Sequence, residues 1–359
     1  MTEQAYAADE LVGISGRRLA LPPGPIFHLQ RSADAVHELG AFRAWAGYKD
    51  LGAEGATDGL VRFQHVVSFG PTEASGRTGV HCHLAHVHIV IPTSGRGVFS
   101  YDGVITEAVP GGVIVQHGGT VHDQFEYSYL PAPFEANAAT PLSLEPPPVG
   151  APLRSFGFLE LFIPEKIADV EIIPPAEVTN ADQASAWDHP YHAEGASFVV
   201  QDAAAPGAAY RPVAGRPDLE ARDAATWDAS GRYVATWVVR PAAGAAGEAV
   251  SLAIPGETGG LDLLFVIAGS AQFQRDGEPF TLAAGDCLIA SAGLAAGPLS
   301  VSPDLRLLRM FVSARAESLR ERTPAEIARL VALGPRIITR RQVRPVGDSR
   351  PVNVLHDEG

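Results

Sequence analysis

Lysine is nearly missing from this 359-residue chain, which holds only Lys49 and Lys166. Arginine carries almost all the positive charge, and 27 basic residues face 41 acidic ones for a formal net charge of −14. That balance argues against a nucleic-acid groove or an anionic membrane surface as partner. Cysteine is equally scarce: Cys82 and Cys287 cannot make a disulfide framework. No run of eighteen apolar residues occurs, so no transmembrane helix is expected. The opening MTEQAYAADE is acidic and lacks an apolar signal core, as expected of a cytoplasmic protein. What is present is a 46% hydrophobic composition, enough for substantial cores, in a length that suits two domains.

The 37 glycines and 29 prolines cut the chain into short β-rich runs. They are 60–69, 87–91, 97–101, 112–116 and 155–164, then 233–239, 261–267, 271–274 and 305–312. Short strands between turn signals predict an all-β sandwich or barrel. The two blocks also resemble each other. Gly95, Asp102, Gly103, Gly111 and Gly119 recur as Gly269, Asp276, Gly277, Gly285 and Gly293, each 174 residues on. Five matches in one register predict a duplicated domain. The first block alone carries an insertion of about twenty-five residues, spanning 129–152, either a lid over a cavity mouth or a solvated excursion. Few helices are expected. Ser32–Trp45 is one; 323–334 is the other, with a capping box from Thr323 and Glu326, Pro324 at the first helical position and Gly334 at the end. The layout expected is an arm with a helix (1–59), a first barrel (60–164), a connection (165–231), a second barrel (232–313) and a helix with tail (314–359).

Four of the twelve histidines fall in the stretch VHCHLAHVH, at 81, 83, 86 and 88. In a strand, alternate side chains share a face, so His81 and His83 point together. Leu84 and Ala85 allow a turn, and the run from His86 to Ile91 is expected to return as the next strand, with His86 and His88 on one face. Further on, GGVIVQHGGTVHDQF frames His122 between glycine turns. Crowded neutral imidazoles suit a transition metal. The candidate ligands are His81, His83, His88 and His122; His86, Gln116 and Glu126 are candidate catalytic or orienting groups. Gln64, His65, Tyr101 and His117 have weaker claims.

These residues resemble the first motif of the cupin superfamily, G(x)5HxH(x)3-4E(x)6G. His81 and His83 fill the histidine positions and Gly95 the closing glycine. His88 stands where the family has glutamate, and Gly76 precedes His81 by five positions rather than six. The second motif, G(x)5PxG(x)2H(x)3N, is met by Gly111, Gly119 and His122, with His117 for the proline and Glu126 for the asparagine. The resemblance implies a bicupin: two double-stranded β-helix (jelly-roll) barrels with a few short helices. In the second block the same offset places Pro255, Glu257, Asp262 and Ala296 at the ligand positions, so one metal per chain is expected, in the first barrel.

With histidine in place of glutamate, four neutral donors would leave the full dication charge in the site. That favours an anionic, chelating small molecule such as an enolate, phenolate or carboxylate, and disfavours magnesium and calcium. Fe(II) is the first choice of ion; Ni, Mn, Cu and Zn also suit. The chain resembles gentisate-type and quercetin-type bicupin dioxygenases, the former also in its His122–Asp123 pair. By that resemblance it is an oxidoreductase that cleaves a small aromatic or enolic substrate with O2, as a homodimer. Two other readings stand beside it: a metal-dependent isomerase, cyclase or decarboxylase using the ion as Lewis acid, with His86 or Glu126 moving protons; and a non-catalytic cupin with a structural four-histidine site.

Overall fold

A computed structural model describes residues 21–39, 45–69, 81–83, 85–101, 104–117, 120, 122–129, 134–152, 154–164, 169–171, 198–201, 209–245, 247–293 and 297–319. Nearly every apolar run read from the sequence is a strand. The pairs 87–91, 97–101 and 112–116 become Val87–Ser94, Gly97–Tyr101 and Val113–His117. Their second-block counterparts are Leu261–Ala268, Ser270–Arg275 and Cys287–Ser291. The fold is all-β, two jelly-roll barrels in one chain. The first pairs a seven-stranded sheet with a five-stranded one; the second pairs a seven-stranded sheet with a three-stranded one, among the described residues.

The duplication is visible in register. Val87–Ser94 and Val113–His117 lie 174 residues before Leu261–Ala268 and Cys287–Ser291. The closing strands Gly157–Ile163 and Arg306–Val312 are offset by only 149, and the shortfall of 25 is the insertion. Gly95 and Gly269 do the same work in each barrel. Both sit at positive φ (62° and 72°), where L side chains are strained. Both turn the chain close against the backbone: an added Cβ would lie 2.6 Å from the Arg154 carbonyl and 2.7 Å from the Leu305 nitrogen, respectively.

Alternation along each strand sorts the side chains between three cores. Val90, Phe99, Tyr101, Ile114, Phe158 and Phe198 fill the first barrel. Trp237, Leu264, Val266, Phe273 and Leu307 fill the second. The odd positions Val87, Ile89 and Ile91 join Leu263, Phe265 and Leu308 in a third cluster, where the two large sheets face each other. Phe63 and Phe265 meet edge to face there, 6.2 Å apart.

Three expectations change. Ser32–Trp45 is not a helix: Ser32–Asp34 is a single 3-10 turn, and Glu38–Leu39 pairs with Ala46–Asp50 at the edge of the first barrel's large sheet. Pairing with Ala46–Asp50 outweighs the local helical pattern. The arm and the connection are also parts of the barrels. Phe27–Gln30 pairs with Cys287–Ser291 in the second barrel, and Phe198–Gln201 with Val113–His117 in the first. Arg211–Val213 and Arg216–Asp223 extend the second barrel's large sheet. The described part of the insertion is a strap. Ser143 N–H donates to the Thr93 carbonyl at 2.8 Å, Leu144 is buried, and Arg222 donates to the Leu144 carbonyl at 2.8 Å. The helix expected at 323–334 lies outside the described residues. Among them, no helix is long and apolar enough to cross a membrane.

Candidate metal centre

The site grows from two neighbouring strands of one sheet of the first barrel and two neighbouring strands of the other. His81–His83 pairs with His122–Tyr127, with His81 directly opposite His122. His122 is in turn opposite Tyr101. On the facing sheet, His88 is opposite Gln116 and Phe162. Alternation sends His88 inward because Val87 and Ile89 are taken by the core between the barrels. The rings of His83 and His88 are 4.8 Å apart, those of His83 and His122 4.8 Å, and those of His88 and His122 6.3 Å. Three of the four expected ligands thus converge from both sheets. His81 sits at the right register; its side chain lies outside the described residues.

Each ring is oriented by what surrounds it. The Thr120 carbonyl is 2.9 Å from His122 Nδ1. A carbonyl only accepts, so Nδ1 carries the proton and Nε2 is left with its lone pair. Tyr101 stacks on the same ring at 5.6 Å. His88 lies flat on Phe162, 4.0 Å between centroids and 13° between planes.

The sequence reading missed the residue that completes the cluster. Glu160, in the closing strand Gly157–Ile163, places Oε1 3.3 Å from His88 Nε2, and its Oε2 accepts from Gln64 Nε2 at 2.7 Å. Arg62 Nε donates to Gln64 Oε1 at 3.1 Å, which sets the amide's orientation. Burial alone would raise the Glu160 pKa. The His88 and Gln64 hydrogen bonds and the nearby imidazoles outweigh it and hold the carboxyl below its usual value. A carboxylate thus lies beside the imidazoles, from a strand the motif does not include. Its signal was present, as the lone acid in the apolar run GFLELFI, inward by alternation with Phe158 and Phe162.

The other candidates fall on both sides of the wall. Gln116 is buried beside His88 in register, and among the described residues its Nε2 has no hydrogen-bond partner. Tyr101 is fully buried, and its hydroxyl also has none. His86 is not on the strand; it lies in a half-buried bend before Val87, its N–H donating to the Ile163 carbonyl at 2.7 Å. Glu126 is on the outer surface, 59% exposed, paired with Arg96 at 2.6 Å. A register shift between Gln124 and Glu126 moves it off the inward face. His117 points between the barrels, 3.0 Å from the Ala229 carbonyl, and burial pushes its pKa down to about 4. His65 packs on that side of its strand too, against Thr93 and His37.

Imidazole and carboxylate are donor types that transition-metal ions accept. An imidazole bound at ~2.0–2.1 Å puts its centroid roughly 3.2 Å from the ion, so neighbouring ligands have centroids roughly 4.5–5 Å apart. Both 4.8 Å separations meet this, and 6.3 Å corresponds to a wider-angle pair. Among the described residues no group of three or more His, Cys, Asp or Glu is placed so that it could hold a metal ion as it stands, and the His81 side chain lies outside them.

The second barrel answers the same register with different chemistry. Glu160 pairs with Val90, two residues past His88; Arg309 pairs with Leu264, two residues past Asp262. Where the first barrel has imidazole and carboxylate, the second has carboxylate and guanidinium, joined at 2.8 Å. Ala290 replaces Gln116 opposite Asp262, and Glu257 accepts from Ser313 at 2.5 Å. Ala296 lies outside the described residues.

No protein-family model matches the chain, and neither does any curated protein. Comparison with solved structures finds matches at low identity. The Ylba protein of E. coli superposes with a TM-score of 0.43 at 10% identity, covering 86% of this chain and 97% of its own. Oxalate decarboxylase from B. subtilis gives 0.41 at 11%, covering 80% and 77%. Vicilin from hazelnut, Corylus avellana, gives 0.45 at 8%, covering 80% and 86%.

Proposed function

We propose that the first barrel is a metal-dependent active site for a small anionic molecule, and that the chain is a bicupin-type dioxygenase using Fe(II). The observation that carries this reading is the convergence of His83, His88 and His122 with Glu160 in a closed apolar barrel. Imidazole nitrogens with one carboxylate suit iron, manganese, nickel, copper or zinc over magnesium or calcium. A divalent ion held by these four groups, with His81 expected to join, would supply Lewis acidity and, as iron, electrons for O2.

The protein's own residues do the rest. Thr120 holds His122 in one tautomer, and Gln64 and Arg62 hold Glu160 in place. Phe158, Phe162 and Phe198 exclude water, which strengthens every charge interaction inside. One observation favours the oxygen-independent reading as second choice: Glu160 and His88, 3.3 Å apart, form a carboxylate–imidazole pair able to pass a proton.

The test is metal analysis of protein purified with and without air, then oxygen uptake with gentisate, salicylates, flavonols and β-diketones. Oxygen consumption by the iron form supports the dioxygenase. Turnover under nitrogen supports the isomerase or decarboxylase. A full metal complement with no turnover supports a structural site. His83→Ala should abolish metal uptake in every case, and retention of wild-type metal content by that variant refutes the centre itself.

A further inference from the structure

Two buried hydrogen-bond donors in the first barrel have nothing to donate to. The Tyr101 hydroxyl and the Gln116 amide nitrogen are both sealed from solvent, and neither has a hydrogen-bond partner among the described residues. Leaving such a group unpaired is costly, and native proteins rarely do so without a reason. These two are not scattered. Tyr101 is directly opposite His122 and stacks on its ring; Gln116 is directly opposite His88. Residues opposite each other in antiparallel strands share a face and stand side by side. Phe198 bridges the two positions, opposite Gln116 in register and 5.0 Å from the Tyr101 ring. The Tyr101 O–H can donate as well as accept, and among the described residues its proton meets no acceptor.

Among the described residues no acceptor of the wall is within hydrogen-bond reach of either group. Val90, Ile114, Phe158 and Phe198 are hydrocarbon. An acceptor must therefore arrive with the ligand, at two points, one beside His122 and one beside His88. Resting on the reading that the imidazole cluster binds a small anion, we infer that Tyr101 and Gln116 are its substrate-positioning residues, selecting a flat monoanion with two oxygen acceptors. Enolates and carboxylates both carry that pair of oxygens. The apolar wall selects a hydrocarbon remainder over a sugar or a phosphate. Neither residue is a ligand, so neither is needed for metal uptake.

The experiment uses the metal-loaded full chain and two probes, acetylacetonate for the enolate and salicylate for the carboxylate, titrated calorimetrically into wild type, Tyr101→Phe and Gln116→Leu. Melting temperatures of the probe-free proteins and their metal contents are measured alongside. We expect unchanged metal content, a probe-free melting temperature equal to or above wild type, and about tenfold weaker binding of the preferred probe for each variant. Only an orphaned donor gives that combination, because deleting it relieves the unliganded protein and harms the complex. A lowered melting temperature with unchanged probe affinity overturns the inference, since the groups would then have internal partners. Binding of neither probe by the wild type overturns it too. A wild-type chain that takes up no metal refutes the metal centre instead; the melting comparison then still decides whether the two donors are unpaired.

Discussion

Replacing Glu160 by glutamine removes one charge and almost no volume, and its consequences can be followed atom by atom. Arg62 holds the Gln64 oxygen, so Gln64 keeps presenting its NH2 to position 160. The new amide must answer with its oxygen, which turns its own NH2 toward His88 Nε2, now 3.3 Å from Oε1. His88 can accept there only with its proton on Nδ1. Two charge-assisted hydrogen bonds become neutral ones, a loss of about 1–2 kcal/mol, which the fold should survive. The effect on an ion is larger. A carboxylate set behind a ligating imidazole is worth about ten- to hundredfold in metal affinity, or about 1.4–2.7 kcal/mol, and more if the oxygen binds the ion itself. Competition titration against a chelator of known affinity measures this for Fe(II), Mn(II) and Zn(II), with circular dichroism confirming the fold. If Glu160→Gln keeps wild-type affinity for all three while His83→Ala loses them, the carboxylate plays no part in the centre.

Other consequences follow from the fold. Alanine at Gly269 would strain a residue at φ 72° and press a Cβ to 2.7 Å from the Leu305 backbone nitrogen, so urea unfolding should show a loss of about 2–4 kcal/mol, with a similar loss for Gly95→Ala. Asp262→Asn would weaken the pairing of Arg309, at about 1–3 kcal/mol, and leave metal content at the wild-type value; a fall in bound metal would show that the second barrel also holds an ion. Stability should fall as pH drops. His117 and His37 are held neutral by burial, each down to about 4 from the ordinary 6.5, so between those values the unfolded chain binds protons that the folded chain refuses. Their contribution is complete above pH 6.5 and lost by about pH 4, up to roughly 3 kcal/mol each. Urea midpoints that stay flat across that window would contradict the burial of both rings.

Much of the molecule is legible in short stretches of sequence. Alternation and turn residues are local properties, so the strands at 87–91, 97–101 and 261–267 could be read directly, and the 174-residue echo of Gly95 in Gly269 revealed the duplication. The HxH spacing and the glycine frame of His122 pointed to the cluster for the same reason. Local reading failed where distant pairing decided the outcome. Ser32–Trp45 had a helical pattern, yet its described ends are a 3-10 turn and sheet residues. Glu126 looked like a neighbour of His122, but a single register shift turned it to solvent, where Arg96 holds it.

What the sequence determined by itself was therefore the inventory: two β-barrels, and a concentration of imidazole in the first. What only the tertiary structure decided was the company those imidazoles keep. Gly157–Ile163 pairs with Arg62–Ser68 on one side and Val87–Ser94 on the other, which sets Glu160 between Gln64 and His88 across 96 and 72 residues of chain. The same step puts Arg309 against Asp262 in the second barrel. Spacing along a strand is set by covalent geometry and shows in the sequence; the choice of neighbouring strand is set by the cores that each face must bury, and that is a property of the whole fold.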